Sequence, residues 1–224
     1  MANSDPAGTS VRQAGGKRDR LVTAARRLFH EQGVEKTTLA DIAAAAGVPA
    51  GNTFYYFKTK DAIVAAVIGG YREAQTALSL ELDQQQTPPA RLKALVKFWA
   101  EHREGLASHG CPIGSLASEL GKREDSLHGE AAVTLARLID WSAEQFAATG
   151  RPDARELAVA LVAAYEGIAL LANALQDPDL IAAEGRRLER WIDTLASEAA
   201  AVGLPSDESA QVSATPDGGA GRAP

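Results

Sequence analysis

The groups most capable of chemistry lie in one short stretch, GVPAGNTFYYFKTK, at residues 47–60. It holds four of the chain's twelve aromatic residues, together with short polar side chains and two lysines. Tyrosine hydroxyls, amides and ammonium groups suit phosphate oxygens and the edges of nucleic-acid bases. No Ser/His/Asp or Cys/His spacing and no glycine-rich phosphate loop is apparent. We expect a binding protein without cofactor or metal; an all-α enzyme and a helical interaction protein are the alternatives.

The charge of the chain is divided unevenly along its 224 residues, although the net value is only −6. Residues 17–60 carry +4, whereas residues 61–224 carry −10. A small basic unit before a larger acidic one suits an anion-binding head followed by a part with another task. The N-terminus lacks the apolar run of a signal peptide, and the single cysteine, Cys111, fits a reducing cytoplasm.

Hydrophobic spacing predicts helices throughout the central part of the chain, so we expect an all-α fold. The first helix carries one apolar stripe and ends at Gly33. Later helices are expected from about Lys60 to the glutamines at 84–86, and then at 90–107, 113–122, 126–148, 153–176 and 179–201. Residues 1–16 and 203–224 are rich in small and polar residues and are expected to be flexible tails.

The stretch around Gly47 has the pattern of a helix-turn-helix. TLADIAAAA, at residues 38–46, predicts a helix capped by Thr37 or Thr38. Gly47 supplies the residue that tolerates a positive φ in the turn, and Val48 is expected to wedge the two helices together. Pro49 then begins a short third helix, which would enter the major groove of DNA.

Helical spacing divides the aromatic residues of this third helix between two tasks. Phe54 and Phe57 share a face and are expected to pin the helix to the core. The hydroxyls of Tyr55 and Tyr56 are expected to reach phosphates, as is the ammonium group of Lys60. The full set of predicted DNA contacts is Thr37, Thr38, Pro49, Ala50, Gly51, Asn52, Thr53, Tyr55, Tyr56 and Lys60.

RDRLVTAARRLFHEQGVEKTTLADIAAAAGVPAGNTFYYFKTKDAIVAAVI, residues 18–68, resembles the DNA-binding segment of the TetR family of bacterial transcriptional regulators. The shared pattern is Thr38, Ile42-Ala43, Ala46-Gly47-Val48, Gly51, Tyr55-Tyr56-Phe57 and Lys60. A serine is common in the family where Pro49 stands, and a histidine where Tyr56 stands. The resemblance implies a homodimer that binds a palindromic operator on double-stranded DNA, most often as a repressor that a small molecule releases.

The resemblance also implies two domains, a helix-turn-helix DNA-binding domain at residues 17–64 and a helical ligand-binding and dimerisation domain at residues 65–202. The candidates for a ligand pocket are Trp99, His102, Cys111, Trp141, Tyr165, Glu166 and Asn173. Glu166 is the most informative of them, since a carboxylate inside an apolar helix needs a partner. The candidates for a four-helix dimer interface are Leu161, Leu171, Leu188, Trp191, Ile192 and Leu195. The four histidines are too far apart in sequence to suggest a metal.

Residues 157–175 form an apolar run that is long enough to span a membrane. Glu166 and Asn173 interrupt the run, and an acid in the middle of a bilayer would be costly. We therefore expect a helix buried inside a cytoplasmic protein, with no membrane partner.

Cys111 supports two hypotheses. The segment GCPIGSLASEL, residues 110–120, is similar to a segment in TetR-family members that sense electrophiles or oxidants through the cysteine. Cys111 precedes Pro112 and can cap a helix, where the helix field lowers the pKa of a thiol. An isolated cysteine is otherwise usually a small buried hydrophobe.

Overall fold

The structure, a computed structural model, describes residues 16–122 and 126–202, and every regular element in this part of the chain is an α-helix. The helices are α1 (Lys17–Gln32), α2 (Leu39–Ala45), α3 (Ala50–Tyr56), α4 (Lys60–Leu82), α5 (Pro88–Glu101), α6 (Arg103–His109), α7 (Pro112–Leu120), α8 (Ser126–Ala147), α9 (Ala154–Leu175) and α10 (Asp179–Val202). The predicted all-α class is confirmed. Apart from Gly16, the two predicted tails lie outside the described residues.

Most helices end where glycine or proline predicts, but one predicted helix is broken. Residues 90–107 form two helices, α5 and α6, which meet at His102. The Nδ1 atom of His102 lies 2.7 Å from the Phe98 carbonyl oxygen, which would accept the His102 N–H if the helix continued. The side chain therefore takes the place of the backbone donor, and the chain turns.

Helices α1 to α4 form a compact N-terminal unit, the head, around their own apolar cluster. Its buried members include Leu21, Ile42, Val48, Phe57 and Ile63. The same cluster continues into the rest of the chain through Leu116, Leu120, Leu127 and Ala131 of α7 and α8. The head is therefore packed directly against α7 and α8.

A second apolar cluster joins α5, α8, α9 and α10. It contains Leu95, Phe146, Leu161 and Ile192, none of which is more than 1% exposed. Helix α4 carries Ile63 in the first cluster and Leu82 in the second, so it crosses the predicted domain boundary at residue 64 without interruption.

Helix α9 is the one helix of the described residues that is long and apolar enough to cross a membrane, with a mean hydropathy of 1.8. Only 33% of its most apolar window is buried in the single chain. Its outer face exposes Val159, Leu170, Leu171 and Leu175, which are 45–68% accessible. In the single chain the inner face of α9 is buried as expected, whereas this outer face is exposed.

Candidate nucleic-acid interface and adjoining cavity

The turn between α2 and α3 has the predicted helix-turn-helix geometry. Gly47 has a φ of 59°, and its N–H donates to the Ala44 carbonyl at 3.1 Å. Val48 is only 4% exposed and fills the angle between the helices. Thr38 caps α2, because its Oγ1 accepts from the Asp41 N–H while the Asp41 carboxylate accepts from the Thr38 N–H. The predicted roles of Gly47, Val48 and the Thr38 cap are confirmed.

Helix α3 presents a different face from the one that its aromatic spacing predicts. Thr53 and Phe57 point inward and are 1% and 4% exposed. Phe54, Tyr55 and Tyr56 point outward and are 53%, 76% and 36% exposed. The prediction that Phe54 pins the helix is therefore wrong, and Thr53 is corrected from a DNA contact to a core residue, since a buried hydroxyl cannot reach a base edge.

The outward side of α3 is open and polar around its aromatic residues. Pro49, Ala50 and Gly51 are exposed, and Asn52 is half-buried. A Cβ atom added at Gly51 would have no neighbour within 4 Å, so another molecule can approach the backbone closely there. Pro49 stands at the N-cap of α3 and provides no side-chain bond to it. These residues, with the exposed Thr38, Tyr55 and Tyr56, remain the predicted DNA contacts.

The turn between α1 and α2, residues 33–38, is called here the head turn. Lys60 Nζ donates to three of its carbonyl oxygens, those of Val34 at 2.8 Å, Glu35 at 3.2 Å and Thr37 at 3.2 Å. An ammonium group has three N–H donors, so none remains for a phosphate. Lys60 is therefore corrected from a phosphate contact to a support of the head turn.

Thr37 also belongs to this support rather than to a DNA-facing surface. It is 0% exposed, and its hydroxyl donates to the Gly33 carbonyl at 2.7 Å. Gln32 Nε2 donates to the same hydroxyl oxygen at 3.1 Å. Thr37 is thus corrected as a DNA contact, since all of its bonds stabilise the turn itself.

The head is also held by α7, a connection that the sequence does not reveal. Glu119 Oε2 accepts the Val34 N–H at 2.9 Å, and its Oε1 accepts the Glu35 N–H at 2.8 Å. Gly33 allows this approach, because a Cβ at that position would lie 3.2 Å from the Glu119 carboxylate. Carbonyls of the head turn are therefore bound by α4, and its amides by α7.

A cavity of about 520 Å³ lies behind the head, between α7 and α9, and is called here the α7–α9 cavity. Three of the seven predicted ligand residues, Cys111, Glu166 and Asn173, line it. The described lining residues are Gly110, Cys111, Gly114, Ser115, Ser118, Glu119, Lys122, Glu166, Gly167, Leu170 and Asn173. The volume suits a small organic molecule.

The other four predicted ligand residues are placed elsewhere. Trp99 and Tyr165 stack at 4.0 Å inside the second apolar cluster, where the adjoining crevice of about 10 Å³ has room for no more than a water. Trp141 is buried and donates to Asp83 at 3.2 Å. His102 is exposed beside Phe98. These four are corrected as ligand residues, because the three aromatic rings are packed in the interior and His102 is exposed to solvent.

Cys111 caps α7 as predicted, with its Sγ accepting the Gly114 N–H at 3.3 Å. Burial of the thiol, followed by the nearby charge of Glu166, raises the pKa of Cys111 to about 12. The expected lowering of this pKa by the helix field is wrong, because loss of hydration outweighs it. The arrangement gives no support to a thiolate sensor.

Glu166 projects from α9 against α7 at Gly114. Its Oε1 atom is out of contact with solvent and has no hydrogen-bond partner among the described residues. Burial raises the pKa of the Glu166 carboxyl, since the charged form loses its hydration. A carboxyl in this position would gain from a partner that enters the cavity.

The predicted dimer residues divide between core and surface. Leu161, Leu188, Ile192 and Leu195 are 0–8% exposed and pack in the chain's own second cluster. They are corrected, because both Leu161 of α9 and the apolar stripe of α10 are already covered within the chain. Trp191 is half-buried against Phe146, and Leu171 is 52% exposed. Among the predicted dimer residues, the one that remains well exposed is Leu171, on the outer face of α9.

Histidines that are distant in sequence meet next to the cavity. The rings of His30 and His109 lie 5.4 Å apart, and His30 Nε2 is 2.9 Å from the Gly110 carbonyl oxygen. Within residues 16–122 and 126–202, no three metal-binding side chains are grouped together. This pair therefore joins α1 to the α6–α7 junction.

Two family models match the chain in the order of its two parts. Residues 21–67 match bacterial regulatory proteins of the tetR family, and residues 88–187 match the C-terminal domain of LmrA/YxaF-like transcriptional regulators. Together with the geometry of α2 and α3, these matches define a DNA-binding transcriptional regulator with a helix-turn-helix. The chain belongs to the TetR family.

Individual proteins agree with this assignment. An uncharacterised HTH-type transcriptional regulator of Mycobacterium tuberculosis is 29% identical over 174 residues, covering 72% of this chain and 87% of the relative. The HTH-type transcriptional repressor DhaR of a Mycobacterium species is 32% identical over 114 residues, covering 50% and 57%. The crystal structure of a TetR-family regulator from Agrobacterium tumefaciens has a TM-score of 0.70 at 26% identity, covering 78% of this chain and 96% of that one.

Proposed function

We propose that the chain is a ligand-responsive repressor, which binds a palindromic operator as a homodimer and is released by a small molecule in the α7–α9 cavity. The observation that carries the proposal is the position of this cavity, whose wall includes Gly110 and Glu119, two residues bonded to the head. A ligand there is one contact away from the DNA-reading unit. The name of the relative DhaR, a transcriptional repressor, favours the repressor role.

The homodimer is supported by the outer face of α9. Val159, Leu170, Leu171 and Leu175 expose apolar area, and Ala160, Ala163 and Gly167 between them are small and also exposed. Small residues let two helices approach closely, so a second copy of α9 is a suitable cover. A two-fold dimer presents two α3 helices to half-sites about 34–36 Å apart.

Operator binding is the direct test. The DNA upstream of the protein's own gene would be searched for a palindrome and used in a mobility-shift assay across a range of salt concentrations. We expect binding that weakens with salt, because phosphate contacts release counterions. Tyr55→Ala should weaken binding, since Tyr55 is 76% exposed on α3. Wild-type operator affinity in Tyr55→Ala, or an affinity that does not change with salt concentration, would contradict the proposed interface.

A further inference from the structure

Glu119 is shared by the head turn and the α7–α9 cavity. Its two carboxylate oxygens accept the backbone amides of Val34 and Glu35, and the same residue forms part of the cavity wall. Hydrogen bonds to an ionised acceptor are stronger than those between neutral groups. Any group that competes for this carboxylate inside the cavity therefore acts on the head turn directly.

The two walls of the cavity belong to different parts of the molecule. One wall, formed by the α6–α7 junction and α7, is bonded to the head through Gly110 and Glu119. The opposite wall, which carries Glu166 and Leu170, belongs to α9. Leu170 is 68% exposed and also lies on the outer face of α9. The cavity thus separates the head-bonded wall from the proposed subunit interface.

The lining favours a positively charged ligand. Among the described lining residues, Glu119 and Glu166 are carboxylates and Lys122 is the cation. The polar remainder, Ser115, Ser118 and Asn173, is neutral. The Oε1 atom of Glu166 is withdrawn from solvent and has no hydrogen-bond partner of normal geometry among the described residues. The neighbouring Cys111 thiol favours the charged form of this carboxyl, but burial outweighs it, so an ionised carboxylate is unfavourable there. A protonated amine supplies the missing charge and hydrogen-bond donors.

We propose that the α7–α9 cavity takes a small organic cation, and that Glu119 is the positioning residue through which the cation releases the head turn. This inference rests on the proposed function and deepens it. The ammonium group binds Glu166 and draws the Glu119 carboxylate away from the Val34 and Glu35 amides. Lys60 then holds the turn from the α4 side only, and the α2–α3 pair gains freedom relative to α7, while the apolar packing of the head on Leu116 and Leu120 remains.

Amide hydrogen exchange in the free full-length chain tests the connection. We expect Glu119→Gln to accelerate amide exchange at Val34 and Glu35 about tenfold or more. A glutamine side chain has one acceptor oxygen and no charge, whereas the carboxylate accepts one bond with each of its two oxygens. The Val48 amide, which donates to the Ala43 carbonyl, should exchange at its wild-type rate. Ser118→Ala is the matched control, because Ser118 lines the same cavity and makes no hydrogen bond to the head turn within the described part of the chain. Unchanged exchange at both amides in Glu119→Gln would overturn the proposal.

The ligand class is tested on the wild-type chain with benzylamine, which is protonated at neutral pH, and with benzyl alcohol as the uncharged match. Benzylamine should accelerate exchange at Val34 and Glu35 and release operator DNA, and Glu166→Gln should reduce both effects. Equal effects of the alcohol, or no response to the amine, would overturn the cation class. Failure of the protein to bind any operator would contradict the proposed function and would leave the exchange results intact, because the exchange measurements need no DNA.

Discussion

Gly114 and Glu166 are packed so closely that a Cβ atom at position 114 would overlap the Glu166 carboxylate. The Cδ atom of Glu166 would lie only 2.8 Å from that Cβ. Gly114 is in the first turn of α7, and Glu166 is in the middle of α9. The absence of a side chain at position 114 is therefore what allows the carboxylate to reach the cavity wall.

Gly114→Ala should destabilise the protein by up to about 1 kcal/mol, because the Glu166 carboxylate, the far end of a flexible side chain, must shift away from α7. The expected effect opposes the helix propensity of alanine, which would favour the substitution at an open site. The free energy of unfolding from urea titration measures the change.

A control and a double variant make this prediction specific. Gly105→Ala, in α6, adds a Cβ that meets nothing within 4 Å, and should be neutral or stabilise the chain by up to about 1 kcal/mol. The cost of Gly114→Ala should shrink in a Glu166→Ala background, since the overlapping group is gone. An equal cost in both backgrounds would show that the overlap is not its cause.

The turn of the helix-turn-helix could be predicted from the sequence, whereas the orientation of α3 could not. The turn needs a positive φ at position 47 and an apolar side chain at position 48. Both needs are local, and the residue types Gly and Val indicate them directly. A helix of seven residues has two turns, so the pair Phe54 and Phe57 competes with the pair Thr53 and Phe57 for the same core. Packing against α2 and the apolar cluster of the head decides between them, and periodicity over two turns is too short to do so.

Contacts between distant residues account for the other differences. The hydrogen bond between Glu119 and the Val34 amide joins positions 85 residues apart. Neither residue type indicates in the sequence that the two meet. The apolar stripe of α10 correctly indicated burial, but it could not say that α5 of the same chain covers Leu188 and Ile192. Hydrophobic spacing identifies a helix face that must be buried, but it does not identify the surface that buries it.

Thr53→Val should be neutral or stabilising by about 1 kcal/mol and should leave operator preference unchanged. The Thr53 hydroxyl is buried without a hydrogen-bond partner in the described residues, and an unsatisfied buried hydroxyl is unfavourable. Thermal unfolding and binding to operators with single base changes give the two measurements. A changed base preference would restore Thr53 as a base contact.

Lys60→Met should lower stability by about 1–3 kcal/mol, because three carbonyl oxygens of the head turn lose their donor. A phosphate contact would give a different signature, since its loss reduces the salt dependence of DNA binding by about one counterion. We expect the slope of log K against log salt to stay at the wild-type value. Lys58→Met, a change at an exposed lysine beside α3, is the comparison for the binding measurement.

Leu171→Glu should dissociate the proposed homodimer, because it places a charge on the exposed apolar face of α9. Leu171 is 52% exposed in the single chain, so the substitution has little effect on the chain's own core. Leu80→Glu is the matched control, since Leu80 is 62% exposed on α4. Sedimentation equilibrium should show monomers for the first variant and dimers for the second. Dimers in both would place the subunit interface elsewhere.

Cys111 should react with iodoacetamide far more slowly in the folded chain than in urea. A pKa of about 12 in place of 9.0 leaves about a thousandfold less thiolate at neutral pH. Limited access alone would slow the reaction equally at every pH, so the profile between pH 7 and 10 separates the causes. In the folded chain the rate should rise tenfold per pH unit throughout, whereas in urea it should level off above pH 9.

The raised pKa of Cys111 also makes the stability of the folded chain depend on pH. The folded chain binds the Cys111 proton more tightly than the unfolded chain, so the contribution is fully present below pH 9 and is lost as the pH rises towards 12. Cys111→Ser removes this titration and should flatten the alkaline limb of the stability curve. Rapid alkylation of the folded chain at pH 7 would contradict the raised pKa and would return Cys111 to consideration as a thiol sensor.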